Sequence, residues 1–210
     1  MECAARGLDP FQTDLVVADP TRGPGALCLA VSPALKAKGV RNRCRIFEIP
    51  PSLHYIIAPP HMRLYMRVSA DIYKTYLRLF AREDVYPYSI DECFINAAPY
   101  ISLYQKDGME VAQMAMKAVY ERTGICATAG VGTNLFLAKI GMDIIAKHVP
   151  EHIAYLDETI FKEKMWHHRP ITDIWNIGNG IARRAEKLPV KEKGPTMSPS
   201  MMWKPMCHKT

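Results

Sequence analysis

Apolar residues cluster in short blocks over the first sixty positions and then settle into longer periodic stretches. Leu15-Val-Val-Ala18 and Ala26-Leu-Cys-Leu-Ala-Val31 are unbroken apolar runs bounded by Asp19-Pro20 and Arg22-Gly-Pro-Gly25, the pattern of buried strands joined by a loop. Ser32 before Pro33 predicts a helix start, and Gly39 predicts its stop. Arg43 to Ile49 alternates charged and apolar positions and reads as a strand ended by Pro50-Pro51, so residues 10–60 form a small α/β module. From Met62 to Arg82, the residues Leu64, Val68, Ile72, Tyr76, Leu79 and Phe80 recur at helical spacing without Gly or Pro, which predicts a long amphipathic helix. Val85 to Ala97 reads as a strand and hairpin, Val111 to Arg122 as a helix stopped by Gly124, and Ile125 to Gly130 as a strand. Asn134 to Lys147 reads as a capped helix and Ile153 to Leu156 as a strand. This alternation predicts one sheet with helices packed on it. Ile171 to Leu188 reads as a short helix, a hairpin at Ile177-Gly-Asn-Gly-Ile181 and a second helix, and the aperiodic Pro, Met, Lys and Ser beyond it predict disorder.

Composition narrows the class. A chain of 210 residues with 49% apolar and 23% charged side chains can bury a sizeable core, which excludes disordered, collagenous and disulfide-miniprotein classes. Its apolar runs fall well short of the ~18 residues of a membrane span, so a soluble cytoplasmic protein with no membrane contact is expected. Six cysteines without a CxxC pair fit a reduced compartment. The formal charge of +6 is uneven: Lys36 to Arg82 holds ten basic residues against Glu48 and Asp71, a candidate anion-facing segment or simply a solvated face.

Three segments could carry chemistry. Asp91-Glu92 interrupts the apolar context Tyr88-Ser-Ile-Asp-Glu-Cys-Phe-Ile95, where two charges must be paired, metal-bound or solvated at a strand end. Hard cations such as Mg²⁺ favour carboxylate oxygens supplemented by substrate phosphates, whereas the plainer reading is a polar turn between strands. Gly130-Val-Gly-Thr-Asn-Leu-Phe-Leu-Ala-Lys139 runs from a strand through glycines into a helix, a layout able to offer amides and a lysine to a phosphate, although the GK[ST] ending of a Walker loop is missing. The hairpin around Gly178 and Gly180, followed by Arg183 and Arg184, could approach a DNA phosphate closely or serve as an ordinary helical joint. His148 and His152 have the spacing of zinc ligands, but Pro150 breaks the helix that spacing requires.

In this order and spacing, the three segments closely resemble a Y-family translesion DNA polymerase of the UmuC/DinB type. Tyr88 to Phe94 and Gly130 to Ile140 resemble the family's two palm motifs, Ile171 to Ala182 resembles the helix-hairpin-helix of its thumb, and Ser32-Pro-Ala-Leu-Lys36 is similar to its fingers helix. The resemblance implies an α+β fold: an incomplete polymerase palm, a ferredoxin-like sheet with helices, joined to a small fingers module and a partial thumb. It places a remnant of the first palm helix at 1–9, fingers at 10–61, palm at 62–165, partial thumb at 166–188 and a non-family tail at 189–210. It also implies DNA-directed DNA polymerase activity in SOS-type DNA repair, by two-metal nucleotidyl transfer with Mg²⁺ on primer–template DNA and deoxynucleoside triphosphates, with a sliding clamp as a further partner. Asp91 and Glu92 would then be catalytic metal ligands, Ser89 their support, Lys36 and Lys139 the triphosphate contacts, and Gly178, Gly180, Arg183 and Arg184 the DNA contacts.

Two departures temper the expected activity. The sequence opens at Met1-Glu2-Cys3, inside what would be the first palm helix, so the family's first strand with its metal-binding aspartate, carbonyl ligand and ribonucleotide-excluding aromatic is not represented. Pro189 to Thr210 resembles nothing in the family. A polymerase truncated at both ends is therefore expected, and the alternative is an impaired fragment or remnant that holds DNA or nucleotide weakly. An unrelated ferredoxin-like nucleotide-binding domain is the third option.

Overall fold

The computed structural model describes residues 1–187; the tail expectation for 189–210 lies outside the described residues. The chain divides into two compact units, the first spanning Met1–Arg67 and the second beginning at Val68.

The first unit is built on a three-stranded sheet. Strand β1 (Leu15–Val17) lies between β2 (Ala30–Val31), which is antiparallel to it, and β3 (Ile56–Ala58), which is parallel. All three residues of β1 are buried, and its two faces serve different cores: Val16 joins Cys28, Val31 and Leu35, while Leu15 and Val17 join Cys3 and Ala58. Burial on both faces is why this strand reads as a continuous apolar run rather than an alternation. Helix α1 (Pro33–Ala37) starts where expected, with the Ser32 hydroxyl accepting from the Leu35 amide at 3.3 Å and from the Leu15 amide at 3.1 Å. One side chain thus caps the helix and ties it to β1. Gly39 ends the turn at a φ of +87°.

The expected strand from Arg43 to Ile49 does not form. Arg45 makes a single bridge to Leu27, and Ile46–Glu48 forms a tight 3-10 turn. Arg43 sits in the left-handed region at φ 58°, and the Glu48 carboxylate accepts from the Arg45 amide at 2.8 Å, a local bond that competes with a ladder. The Ala26 to Val31 run is likewise a strand only at Ala30–Val31.

Also within the first unit, Glu2 is 5% exposed and fully engaged. Its carboxylate accepts from Arg6 Nη1 at 2.6 Å and from the Tyr65 hydroxyl at 2.5 Å, and it meets His61 Nδ1 at 2.9 Å. Burial alone would raise its pKa, but the bonds from Tyr65, Arg6 and His61 outweigh this and bring it from 4.5 down to about 2.

Helix α2 (Met62–Tyr76) is six residues shorter than its apolar period suggested. Its end tightens into i−3 hydrogen bonds, Arg78 to Thr75 and Leu79 to Tyr76, and Phe80 turns into the core of the second unit. There it meets Tyr100 edge-on, with ring centroids 4.9 Å apart. Strands β4 (Val85–Pro87) and β5 (Cys93–Ile95) form an antiparallel hairpin, and α3 (Ala98–Tyr104) and α4 (Gly108–Thr123) pack on it through Tyr100, Val111 and Ala115. Asp107 and Glu110 form a reciprocal capping box at the start of α4, and Gly124 stops it at φ +69°.

Strand β6 (Ala129–Gly132), helix α5 (Leu135–Ile140) and strand β7 (Ile153–Leu156) form a parallel βαβ unit. Helix α5 is capped by Asn134 and passes into a wider π turn at Gly141–Ile145. Its core includes Leu137, Ile140, Leu156, Phe161 and Met165, the last from a helical stretch opened by α6 (Glu158–Ile160), and Ile174 and Ile177 close it. Helix α7 (Asn179–Glu186) follows, while the first expected thumb helix is a single 3-10 turn at Ile171–Asp173. The α+β class holds, but among the described residues the strands form three separate sheets instead of one.

Candidate functional site: an acidic turn and a buried lysine

Asp91 and Glu92 lie in the turn between β4 and β5, not within a strand. The amides of Tyr88 and Ser89 both donate to the Glu92 carbonyl, at 3.0 Å each, which closes the turn. The Ser89 hydroxyl donates to Asp91 Oδ1 at 2.7 Å, so Ser89 fixes the exposed Asp91 carboxylate.

Lys139 reaches this turn from α5, a helix that packs tightly on β6. A Cβ on Gly130 would meet the Ala138 carbonyl and lie 2.5 Å from the Met142 nitrogen, and one on Gly132 would lie 2.5 Å from the Ala138 nitrogen. Strand β6 therefore touches α5 backbone to backbone. The two glycines thus serve the close packing of helix on strand.

Lys139 Nζ lies within 2.8 Å of Glu92 Oε1 and 3.0 Å of Asp143 Oδ2. The lysine side chain is 8% exposed, and Asp143 in turn binds Lys147 at 2.6 Å. Burial would lower the pKa of the Lys139 ammonium, but bonds to Glu92 and Asp143 outweigh it and hold the group above the ordinary lysine value. Burial likewise pushes Asp143 up, and Lys147 and Lys139 pull it below the usual carboxylate range. The Tyr88 ring lies 6.0 Å from the ammonium, and the Trp175 indole donates to the Tyr88 hydroxyl at 3.3 Å.

Of the residues singled out in the sequence, the structure gathers Ser89, Asp91, Glu92 and Lys139. Lys36 belongs to the first unit, exposed in the last turn of α1. Gly178 precedes α7 and Gly180 lies in its first turn; a Cβ on either would meet open space, and Arg183 and Arg184 are exposed. Asp143, Tyr88 and Trp175 were not singled out. Asp143 could have been found as the i+4 partner of Lys139; Trp175 left no such trace, being 87 residues from Tyr88.

Among the described residues, no group of three or more Asp, Glu, His or Cys is arranged to hold a metal. Two adjacent carboxylates on a solvent-reachable turn nonetheless suit one hard divalent cation shared with substrate phosphates, the usual manner of Mg²⁺ binding.

The family profile described as impB/mucB/samB (IMS) matches residues 3–143. The chain is 32% identical over 189 residues to the "Putative UV-damage repair protein UvrX" of Bacillus subtilis, covering 90% of this chain and 44% of that protein. It is 31% identical over 170 residues to "DNA polymerase IV 2" of Halalkalibacterium halodurans, covering 80% of this chain and 40% of the relative. It therefore spans less than half the length of these two relatives. The crystal structure of DinB from Sulfolobus solfataricus superposes with a TM-score of 0.70 at 24% identity, over 88% of this chain and 53% of that one. With the profile covering two thirds of its residues, the chain belongs to the impB/mucB/samB family of Y-family DNA polymerases.

Proposed function

We propose that this chain serves in DNA repair as the nucleotidyl-transfer portion of a translesion polymerase, with fingers at 10–61, palm at 62–165 and partial thumb at 166–188. The observation that carries the reading is the delivery of a buried lysine onto an acidic turn: Lys139 lies 2.8 Å from Glu92, beside Asp91. An ammonium paired with a turn that carries two hard carboxylate ligands suits a triphosphate and the cation that accompanies it.

In this reading Asp91 and Glu92 hold Mg²⁺, which when bound acidifies the primer 3′-hydroxyl and stabilises charge on the attacked phosphate. Ser89 keeps Asp91 oriented, and Lys139 contacts the triphosphate. The open backbone at Gly178 and Gly180, with Arg183 and Arg184, binds the DNA backbone without reading sequence. The reading places the protein in the cytoplasm on primer–template DNA, with a sliding clamp as a further partner. No helix among the described residues is long and apolar enough to cross a membrane.

A second reading, a chain that holds nucleotide or DNA without extending a primer, is favoured by one observation: no third metal-binding side chain joins Asp91 and Glu92 among the described residues. Primer extension by the purified full chain with Mg²⁺, alongside binding of dATP, separates the two. Extension abolished by Asp91→Ala supports the polymerase. Binding of dATP lost in Lys139→Met, without extension, supports the second reading, and absence of both overturns each.

A further inference from the structure

We propose that Asp143 is a positioning residue that holds the Lys139 ammonium in place when Glu92 is drawn toward a cation. The inference rests on the reading of Lys139 as a triphosphate contact. Lys139 has two carboxylate partners of different character: Glu92 lies on the turn proposed to hold the metal, whereas Asp143 lies one turn further along the lysine's own helical segment. A carboxylate oxygen of Glu92 that coordinates a cation gives up much of its interaction with the ammonium. Lys139 is 8% exposed, so water is poorly placed to replace that partner.

Asp143 can keep the ammonium charge-balanced because it moves with the same helical segment. Its two oxygens are already divided, Oδ2 at 3.0 Å from Lys139 and Oδ1 at 2.6 Å from Lys147. This double engagement fixes the carboxylate and leaves it poorly suited to act as a metal ligand itself. The segment between them carries the π turn Gly141–Ile145, in which a backbone widened by one residue sets where Asp143 projects. An ammonium has three donors, so Lys139 can keep Asp143 and still offer a bond to a phosphate oxygen.

The sign of one substitution distinguishes positioning from charge. Removing an acid beside an anion site should tighten anion binding through simple electrostatics, whereas loss of a tether should weaken it. In the full chain with Mg²⁺, Asp143→Asn is expected to weaken dATP binding by roughly tenfold, about 1.4 kcal/mol. Lys139→Met in the Asp143→Asn background should add little further loss, since both act through one ammonium. Asp143→Glu, which restores the charge, should recover part of the affinity; a variant weakened only by misfolding would not be rescued this way. Without nucleotide, labelling of Lys139 by an amine-reactive ester, read by mass spectrometry, should rise severalfold in Asp143→Asn. Unchanged labelling, tighter dATP binding or fully additive losses would overturn the proposal. If the unaltered chain binds no dATP while labelling still rises, the triphosphate reading fails and Asp143 is reduced to a structural tether.

Discussion

Gly130 and Met142 stand so close that a Cβ on the glycine would lie 2.5 Å from the Met142 backbone nitrogen. The obstacle is the backbone of the helical segment, which cannot swing aside as a flexible side chain would. Gly130→Ala is therefore expected to push β6 and α5 apart and to cost about 1–3 kcal/mol. A chain of this size should lose roughly 2–4 °C of melting temperature per kcal/mol. Thermal unfolding followed by circular dichroism checks this, and a variant that melts with the unaltered chain would contradict the backbone contact.

Gly180 presents the opposite case. It lies inside α7, and a Cβ there meets nothing within 4 Å. Gly180→Ala should leave stability unchanged or raise it by up to about 1 kcal/mol, because alanine is the better helix former. If the open backbone is where DNA approaches, the same substitution should weaken duplex binding. Raised stability with reduced affinity is the expected pair of results, to be read by melting and by fluorescence anisotropy.

Lys139→Met should shift two affinities in opposite directions. The methionine removes the cation that neutralises Glu92 and Asp143, so a divalent ion at the acidic turn meets more negative potential and should bind more tightly. A triphosphate loses its ammonium partner and should bind more weakly. Mn²⁺ binding by electron paramagnetic resonance and dATP binding by calorimetry measure the two independently.

Glu2 sets an acid limit on the first unit. Its folded pKa of about 2 lies below the ordinary 4.5, so its ionised form stabilises the fold at any pH above 4.5. That contribution is lost as pH falls from 4.5 toward 2. Glu2→Gln should be about 1–3 kcal/mol less stable near neutrality, having lost charge-assisted bonds from Arg6 and Tyr65. The gap in melting temperature between the two proteins should narrow steadily below pH 4.5. A gap independent of pH would show that packing, and not charge, is what the substitution removes.

Features whose partners lie nearby in sequence were legible from the chain alone. Ser32, Asn134 and Gly124 act where the sequence put them, because a cap bonds an amide three positions on or frees a φ at one position. The Asp91-Glu92 turn was legible as an anomaly, since two acids sit poorly in an apolar run. The pairing of Glu92 with Lys139 was not, because 47 residues separate them and nothing local in sequence relates the two segments. Arg43 to Ile49 misled for a related reason: alternation marks a strand only where a neighbour supplies a ladder, and Glu48 instead satisfies the Arg45 amide locally.

The separate ladders have a consequence for how the second unit holds together. A two-stranded ribbon has little cohesion of its own, and β4–β5 and β6–β7 each pair with no further strand among the described residues. Cohesion must come from the helices laid across them, above all α4 and α5 through Val111, Ala115, Leu137 and Ile140. Amide deuterium uptake should then follow an order unusual for a sheet protein. Outward-facing amides of β5 and β6 should exchange early, while those in the middle of α4, around Ala115 and Val119, should hold their protons longest.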